Sequence, residues 1–264
     1  MIPFFQYEFV KIGGVPFTSF ELCNYLGFLV IAFLFLKTVK KIGRLYWQDY
    51  LATIITFFIG VFGSRLFYCF QFPKYFLSRP EEIFYLREGG LMIFGGLVGI
   101  YLWIFIYVRF IRGSKEILKN WFDAFSLFFP IFLAIKRIGC SLMNDHQGAE
   151  TSLPWGIVWP DGVIRHPVAE YLIISNLIIF LILRYLKPRL KQPGQLTFSF
   201  LGLWLFSRIV LDFTRSVGTP LSDPHFWIFS TTQWLSLFTL LSLAVIILIK
   251  KPKFIFSACQ VVKI

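Results

Sequence analysis

The sequence has no two cysteines placed to act as a unit: Cys23, Cys69, Cys140 and Cys259 are scattered, with no CxxC pair and no histidine at zinc spacing. Neither a disulfide framework nor a metal site is indicated, and the four read as small buried apolar residues. Charge is also scarce, at 15% of the 264 residues, and the acidic share is the scarcer: 14 Asp and Glu stand against 26 Lys and Arg, a formal net charge of +12. The cations do not gather in an aromatic-interleaved groove, so nucleic acid is set aside as a partner. The stretch from Met1 to Phe17 lacks a basic n-region and a small-residue cleavage site, and the first helix is therefore expected to stay in the mature protein. Internal repeats, low-complexity tracts and long linkers are missing too.

What is there is apolar. Hydrophobic residues make up 57% and aromatic residues 20%, and the mean hydropathy is +0.70, more apolar surface than one soluble core would need to bury. Runs of roughly 17 to 23 apolar residues, long enough to cross hydrocarbon about 30 Å thick, can be drawn in about seven places. They cover 20–36, 50–72, 91–110, 121–138, 167–186, 195–214 and 231–249. Such segments must be helices, because lipid satisfies no backbone polar group. The expected fold is an all-α integral membrane protein, a single polytopic domain over 1–264.

Cations follow alternate runs: Lys37, Lys40, Lys41 and Arg44; Arg109, Arg112, Lys115 and Lys119; Arg184, Lys187, Arg189 and Lys191; Lys250, Lys251 and Lys253. The positive-inside rule then places the N-terminus outside and the C-terminus in the cytoplasm. The longest polar connection, about 139–166, falls on the outer face.

Several polar groups remain at the outer ends of the runs, where each costs a few kcal/mol unless paired. Arg65 lies late in the second run, Lys136 and Arg137 close the fourth, and Arg208, Asp212 and Arg215 share a face in the sixth. Arg208 and Asp212 have the i,i+4 spacing of a structural ion pair. The arginines still exceed the one membrane acid that could neutralise them, and a guanidinium fork suits a phosphate bidentately, so an anionic phospholipid headgroup is the natural ligand. The stretch Arg137-Ile-Gly-Cys-Ser-Leu-Met-Asn-Asp-His-Gln-Gly148 reads as a turn-rich loop holding Asn144, Asp145 and His146. His166 and His225 read as structural histidines, whereas His146 has an acid beside it. Gly63, Gly95 and Gly96 suit close helix packing or an unwound approach for a headgroup.

These motifs resemble those of the prolipoprotein diacylglyceryl transferases, bacterial membrane enzymes. The likeness runs through Met1-Ile-Pro-Phe-Phe5, Leu26-Gly-Phe28, Gly63-Ser-Arg-Leu-Phe67, Arg87-Glu-Gly-Gly-Leu91 and Gly95-Gly-Leu-Val-Gly99. It continues through Arg137-Ile-Gly-Cys140 with Gly148, Leu153-Pro-Trp-Gly156, Arg165-His-Pro167, Arg208 to Arg215 and Gln233-Trp-Leu-Ser236. The resemblance implies transfer of the diacylglyceryl group of phosphatidylglycerol to the lipobox cysteine of lipoprotein precursors, with glycerol phosphate released, at the outer leaflet of a bacterial plasma membrane. It implies phosphate binding by Arg137 and Arg208, with Gly148 as the signature glycine. Arg215, Arg65, Gly95, Gly96 and Asn144 are expected to assist at the lipid, and either Asp145 or His146 handles the thiol proton or the local positive charge lowers the thiol pKa so that no base is needed. Asp212, Arg165, His166 and Glu170 are expected to orient helices. No cofactor and no metal is called for.

The sequence departs from the pattern at Phe94, where many members have histidine or tyrosine, at Phe20 and Trp204 in place of tyrosines, and at Cys140 in place of an asparagine. Ala169 and Leu172 also break it. Phosphate binding is thus expected to be kept and proton handling rewired. A member that binds lipid or precursor without turnover is the alternative; a transporter, which would need a midplane polar site, fits less well.

Overall fold

The structure, a computed structural model, describes residues 1–86, 89–114, 117–218 and 224–249. Arg87, Glu88, Lys115, Lys250, Lys251, Lys253 and Cys259 lie outside the described residues. Short strands open the chain: β1 (Ile2–Pro3), then β2 (Phe9–Ile12) and β3 (Val15–Thr18), which form a hairpin around Gly13 and Gly14, both at positive φ. Helix α1 (Ser19–Ile42) starts on a reciprocal cap: Glu21 N donates to Thr18 Oγ1, and Thr18 N donates to Glu21 Oε2, satisfying two orphan donors. The helices α2 (Trp47–Gln71), the short α3 (Pro73–Ser78), α4 (Ile93–Ile106), α5 (Leu118–Met143), α6 (Val168–Leu186), α7 (Gln195–Asp212) and α8 (Thr231–Ile249) follow. Between α5 and α6 lie β4 (Ile157–Val158) and β5 (Ile164–Arg165), and before α8 lie β6 (His225–Phe226) and β7 (Phe229–Ser230).

All the long runs expected from the sequence form helices, and among the described residues six spans are long and apolar enough to cross a membrane, α4 counting with the wider helical turn that continues it to Ile111. Helix α7 is the exception among the long helices, because Gln195, Arg208 and Asp212 dilute its apolar content within 18 residues. The protein is a multi-pass, all-α membrane protein. Its contacts group into two compact units, Leu34–Ala124 and Met1–Phe33 with Phe125–Ile264.

In the Leu34–Ala124 unit, α2 and α4 cross where glycine faces glycine. A Cβ on Gly63 would stand 2.6 Å from the Gly95 carbonyl oxygen, and one on Gly96 would stand 2.9 Å from that of Gly60. No side chain fits there, so Gly95 and Gly96 pack the helices rather than open an entry for a headgroup. Beside them Phe94 is buried. Further along, Asp49 is fully buried and accepts from the Tyr107 hydroxyl at 2.7 Å, with Arg112 Nε 3.4 Å away, so that no lone charge is buried.

In the other unit, α7 packs with α6 and α8, and Phe125, Phe129, Phe200 and Trp204 form a ladder of aromatic contacts. Trp204 is buried in that ladder. Gly139 lets α5 approach α1, since a Cβ there would sit 2.8 Å from the backbone of Ser19 and Phe20. Gln233 caps α8 by accepting from Ser230 N and also donates to the Ile209 carbonyl of α7. β1 lies parallel to β4, which pairs antiparallel with β5.

Candidate active site

The polar cluster of this unit begins on α5. The sequence reading ended that helix near Ile138 and placed Arg137 to Gly148 in a loop; instead α5 runs on to Met143. Nothing from Ile138 to Met143 forbids a helix, and Gly139 is on a packed face. The chain leaves the helix at Asn144, whose φ of 50° is left-handed, a conformation asparagine tolerates at helix C-termini. Asn144 Nδ2 donates to the Phe5 carbonyl at 2.9 Å, and Tyr7 N donates to the Leu142 carbonyl at 2.7 Å, so the N-terminal segment straps this turn in place.

The turn swings Asp145 and His146 back over the last turns of α5. Arg137 Nη1 donates to His146 Nε2 at 2.5 Å and reaches Cys140 Sγ at 3.6 Å. A ring nitrogen facing a guanidinium N–H must accept, which assigns the proton to Nδ1. Nδ1 lies 2.7 Å from Asp145 Oδ1. That oxygen is buried, and the Nδ1 proton faces it. Burial, and then the Arg137 cation, hold the His146 imidazole well below the usual histidine range, so the ring is neutral at physiological pH. Burial pulls the Asp145 carboxyl up, but His146 and Arg137 outweigh it and hold the carboxyl below its ordinary value. Around Arg137 no carboxylate comes within ion-pair distance among the described residues.

The second group of cations comes from α7. Arg208 Nη2 is 3.0 Å from Asp212 Oδ1, Arg215 Nε is 3.8 Å from the same oxygen, and Ser230 Oγ donates to Asp212 Oδ2 at 3.0 Å. Arg208 and Asp212 are both buried. One carboxylate thus serves two guanidiniums. Backbone pairing carries this end of α7 to the loop: Gly148 bridges Arg215, Ala149 N donates to the Thr214 carbonyl, and Ser216 N to that of Gln147.

Gly148 is a contact rather than a hinge, for a Cβ there would fall within 2.9 Å of the His166 backbone nitrogen and carbonyl carbon and closer still to its oxygen. Gly148→Ala must therefore push 147–149 away from His166 and Arg215. We expect about 1–3 kcal/mol of lost stability, the range for overpacking, measured as a lower unfolding midpoint in detergent. An unchanged midpoint would show that the strands part freely.

The remaining site residues of the sequence reading divide. Arg165 pairs with Asp161 at 2.5 Å and lies 3.8 Å from Glu150. His166 Nδ1 is 3.2 Å from the Tyr171 hydroxyl, and Glu170 accepts from Ser141 Oγ at 2.5 Å, tying α6 to α5. Arg65 belongs to the other unit. Its guanidinium donates to the carbonyls of Glu82 (2.6 Å), Gly89 (2.7 Å), Ile83 (3.2 Å) and Gly90 (3.3 Å) and lies over the Tyr68 and Phe76 rings. Carbonyls of the turns after α2 engage its donors, so it organises those turns and is not kept as a phosphate ligand.

Sequence reasoning passed over Cys140 as a group with chemistry. The thiol, Asp145 and His146 place one polar atom each within 4.8 Å of one another, a grouping that cysteine spacing alone does not suggest. Cys140 lies three residues beyond Arg137 on α5, and the left-handed Asn144 returns the chain onto that face, an arrangement only the structure shows. Cys140, Asn144, His146, Trp159, His166 and Glu170 also line one narrow pocket.

Comparison with known proteins gives a consistent result. The family model described as prolipoprotein diacylglyceryl transferase matches residues 8–249. The phosphatidylglycerol–prolipoprotein diacylglyceryl transferase of Geobacter sulfurreducens is 31% identical over 219 residues, 81% of this chain and 83% of the relative. The protein of the same name from Bordetella avium is 30% identical over 247 residues, 90% of this chain and 92% of the relative. That of Clostridioides difficile is 29% identical over 203 residues, 77% of this chain and 80% of the relative.

Proposed function

Because the chain belongs to the prolipoprotein diacylglyceryl transferase family, we propose that it moves the diacylglyceryl group of phosphatidylglycerol onto a cysteine thiol of lipoprotein precursors. The reaction needs a held phosphate leaving group and a place where the thiol becomes a thiolate, the true nucleophile. The single observation that carries the reading is Arg137, a guanidinium beside the pocket that has no carboxylate within ion-pair range of it among the described residues. An anionic headgroup supplies what it lacks. Arg208 and Arg215, which share Asp212, add charge on the same side, and Lys136 adds another cation next to Arg137.

In this reading the thiol sulfur attacks the glycerol carbon bonded to the phosphate oxygen. The sulfur–carbon bond forms, the carbon–oxygen bond breaks, and glycerol phosphate leaves with the electron pair, its growing charge met by Arg137 and Arg208. Asp145 and His146 are assigned to the incoming thiol, since His146 lines the same pocket as Asn144 and Asp145 is hydrogen-bonded to it. Arg215 and Gly148 hold the loop against α7. By the positive-inside rule this end of the helices faces the outer leaflet of a bacterial plasma membrane, and the lipobox cysteine is the acceptor.

Purified full-length protein, given phosphatidylglycerol and a lipobox peptide, is expected to yield a diacylglyceryl-peptide thioether seen by mass spectrometry. Phosphatidylethanolamine should support far less transfer. No adduct under conditions where a family member works would overturn the proposal. A second reading, a binder without turnover, is favoured by one feature: Phe94, where a proton-handling residue would be expected, is buried. Rescue of a strain depleted of its own transferase would end that reading.

A further inference from the structure

Away from the phosphate cluster, the β6–β7 hairpin breaks a local rule. Its strands join through two residues, Trp227 and Ile228, with Phe226 opposite Phe229 and His225 opposite Ser230. Trp227 has a left-handed φ of 61°. The first position of such a turn is the usual place for glycine, because the conformation crowds a Cβ, and a bulky ring there is an outlier. Glycine would suit the fold better, so the ring is held at the tip by something other than the turn.

The tip is also bare. Phe226 is 72%, Trp227 87% and Ile228 76% exposed, three large apolar side chains in succession that water disfavours. The neighbouring surface says what covers them. Trp234, in the first turn of α8, donates from Nε1 to the Phe226 carbonyl at 3.0 Å, and its ring stands 5.3 Å from that of Phe229 and 5.7 Å from that of Phe238. The row continues along α8 as Phe238, Leu241 and Val245, all more than half exposed, on a helix long and apolar enough to cross a membrane. Lipid covers that face of α8, and the hairpin prolongs it. No Lys, Arg, Asp or Glu occurs from 224 to 249 to draw the tip into water, and tryptophan is the side chain that favours the headgroup boundary.

The base of the hairpin reaches the site. Ser230, next to Phe229, donates to Asp212 Oδ2 at 3.0 Å, and Asp212 Oδ1 is 3.0 Å from Arg208 Nη2. We propose that the β6–β7 hairpin is an interfacial anchor. Its tip, Phe226, Trp227 and Ile228, sits among the headgroups and upper acyl carbons of the adjoining leaflet and holds Arg208 and Asp212 at the depth of lipid phosphate. The anchor goes beyond the transferase reading; its effect on transfer rests on that reading.

The test uses the full chain in proteoliposomes and reads Trp227 as the fluorescence of the wild type minus that of Trp227→Phe. We expect this difference to be quenched strongly by lipid brominated near the top of its acyl chains, weakly by lipid brominated near the chain ends, and little by acrylamide in the water. Quenching by acrylamide and by neither lipid overturns the anchor. So does shielding from acrylamide that arises only when a lipobox peptide is added, which would make the tip a peptide-docking surface. Trp227→Gly separates anchoring from folding. It should keep or raise the unfolding midpoint in detergent, since the turn prefers glycine, and lower transfer from phosphatidylglycerol several-fold in proteoliposomes. A lowered midpoint in detergent would show that the ring serves the fold and overturn the proposal. Unchanged transfer overturns the hairpin's hold on Arg208. Transfer absent from both proteins overturns the transferase reading, while the quenching still decides the anchor.

Discussion

Arg137→Ala is expected to lower diacylglyceryl transfer by about 10²- to 10³-fold, the loss seen when one donor is removed from a developing oxyanion. The stability of the protein should hardly change. The asymmetry follows from the neighbours of this guanidinium. Its partners are a neutral imidazole and a thiol, so truncation leaves no buried carboxylate unpaired, and the large folding penalty of a broken ion pair does not arise. Arg137→Lys keeps the charge but loses the fork that grips two phosphate oxygens, and it should recover only part of the rate. Both variants should insert with wild-type helix content by circular dichroism. Near-normal turnover in Arg137→Ala would make the residue a mere partner of His146.

Arg208→Ala should behave differently, lowering both stability and transfer. Asp212 is buried and its Oδ1 is 3.0 Å from Arg208 but 3.8 Å from Arg215. Removing the nearer cation leaves a buried carboxylate poorly compensated, at a cost of about 3–5 kcal/mol. A loss of activity alone would therefore not separate a phosphate ligand from a structural pair. The double variant Arg208→Ala, Asp212→Asn does, because it removes the stranded charge while Ser230 can still hydrogen-bond the amide. We expect the double variant to regain most of the lost unfolding midpoint and none of the lost transfer. Recovered transfer would assign Arg208 to structure alone.

The helices were legible because the bilayer dictates them: an apolar run of that length has no other way to satisfy its backbone. Their ends were legible only where a local device marks them. Thr18 and Glu21 form a capping pair readable from spacing, and Pro73 and Gly194 flank helix boundaries. The extension of α5 past Ile138 was not legible, since its residues are consistent with either helix or loop and only packing of Gly139 against α1 decides. The same limit applies to the site. That Arg208 and Asp212 pair is an i,i+4 fact that any helix fixes. That carbonyls from a turn 17 to 25 residues away engage Arg65 is a tertiary fact with no local signature. Glycines showed the same division: Gly63, Gly95 and Gly96 suggest close approach, yet whether lipid or helix approaches depended on what lies opposite. Cys140 was passed over because cysteine spacing was judged against cysteine and histidine motifs, whereas its partners arrive by a chain reversal at Asn144.

The central claim is that the Arg137 guanidinium holds the phosphate of an anionic lipid. Native mass spectrometry of wild-type and Arg137→Ala protein, each offered equal phosphatidylglycerol and phosphatidylethanolamine, tests it most directly. Retained phosphatidylglycerol on the wild type and no preference in the variant is the result expected. Equal retention of phosphatidylglycerol by both proteins would contradict the account.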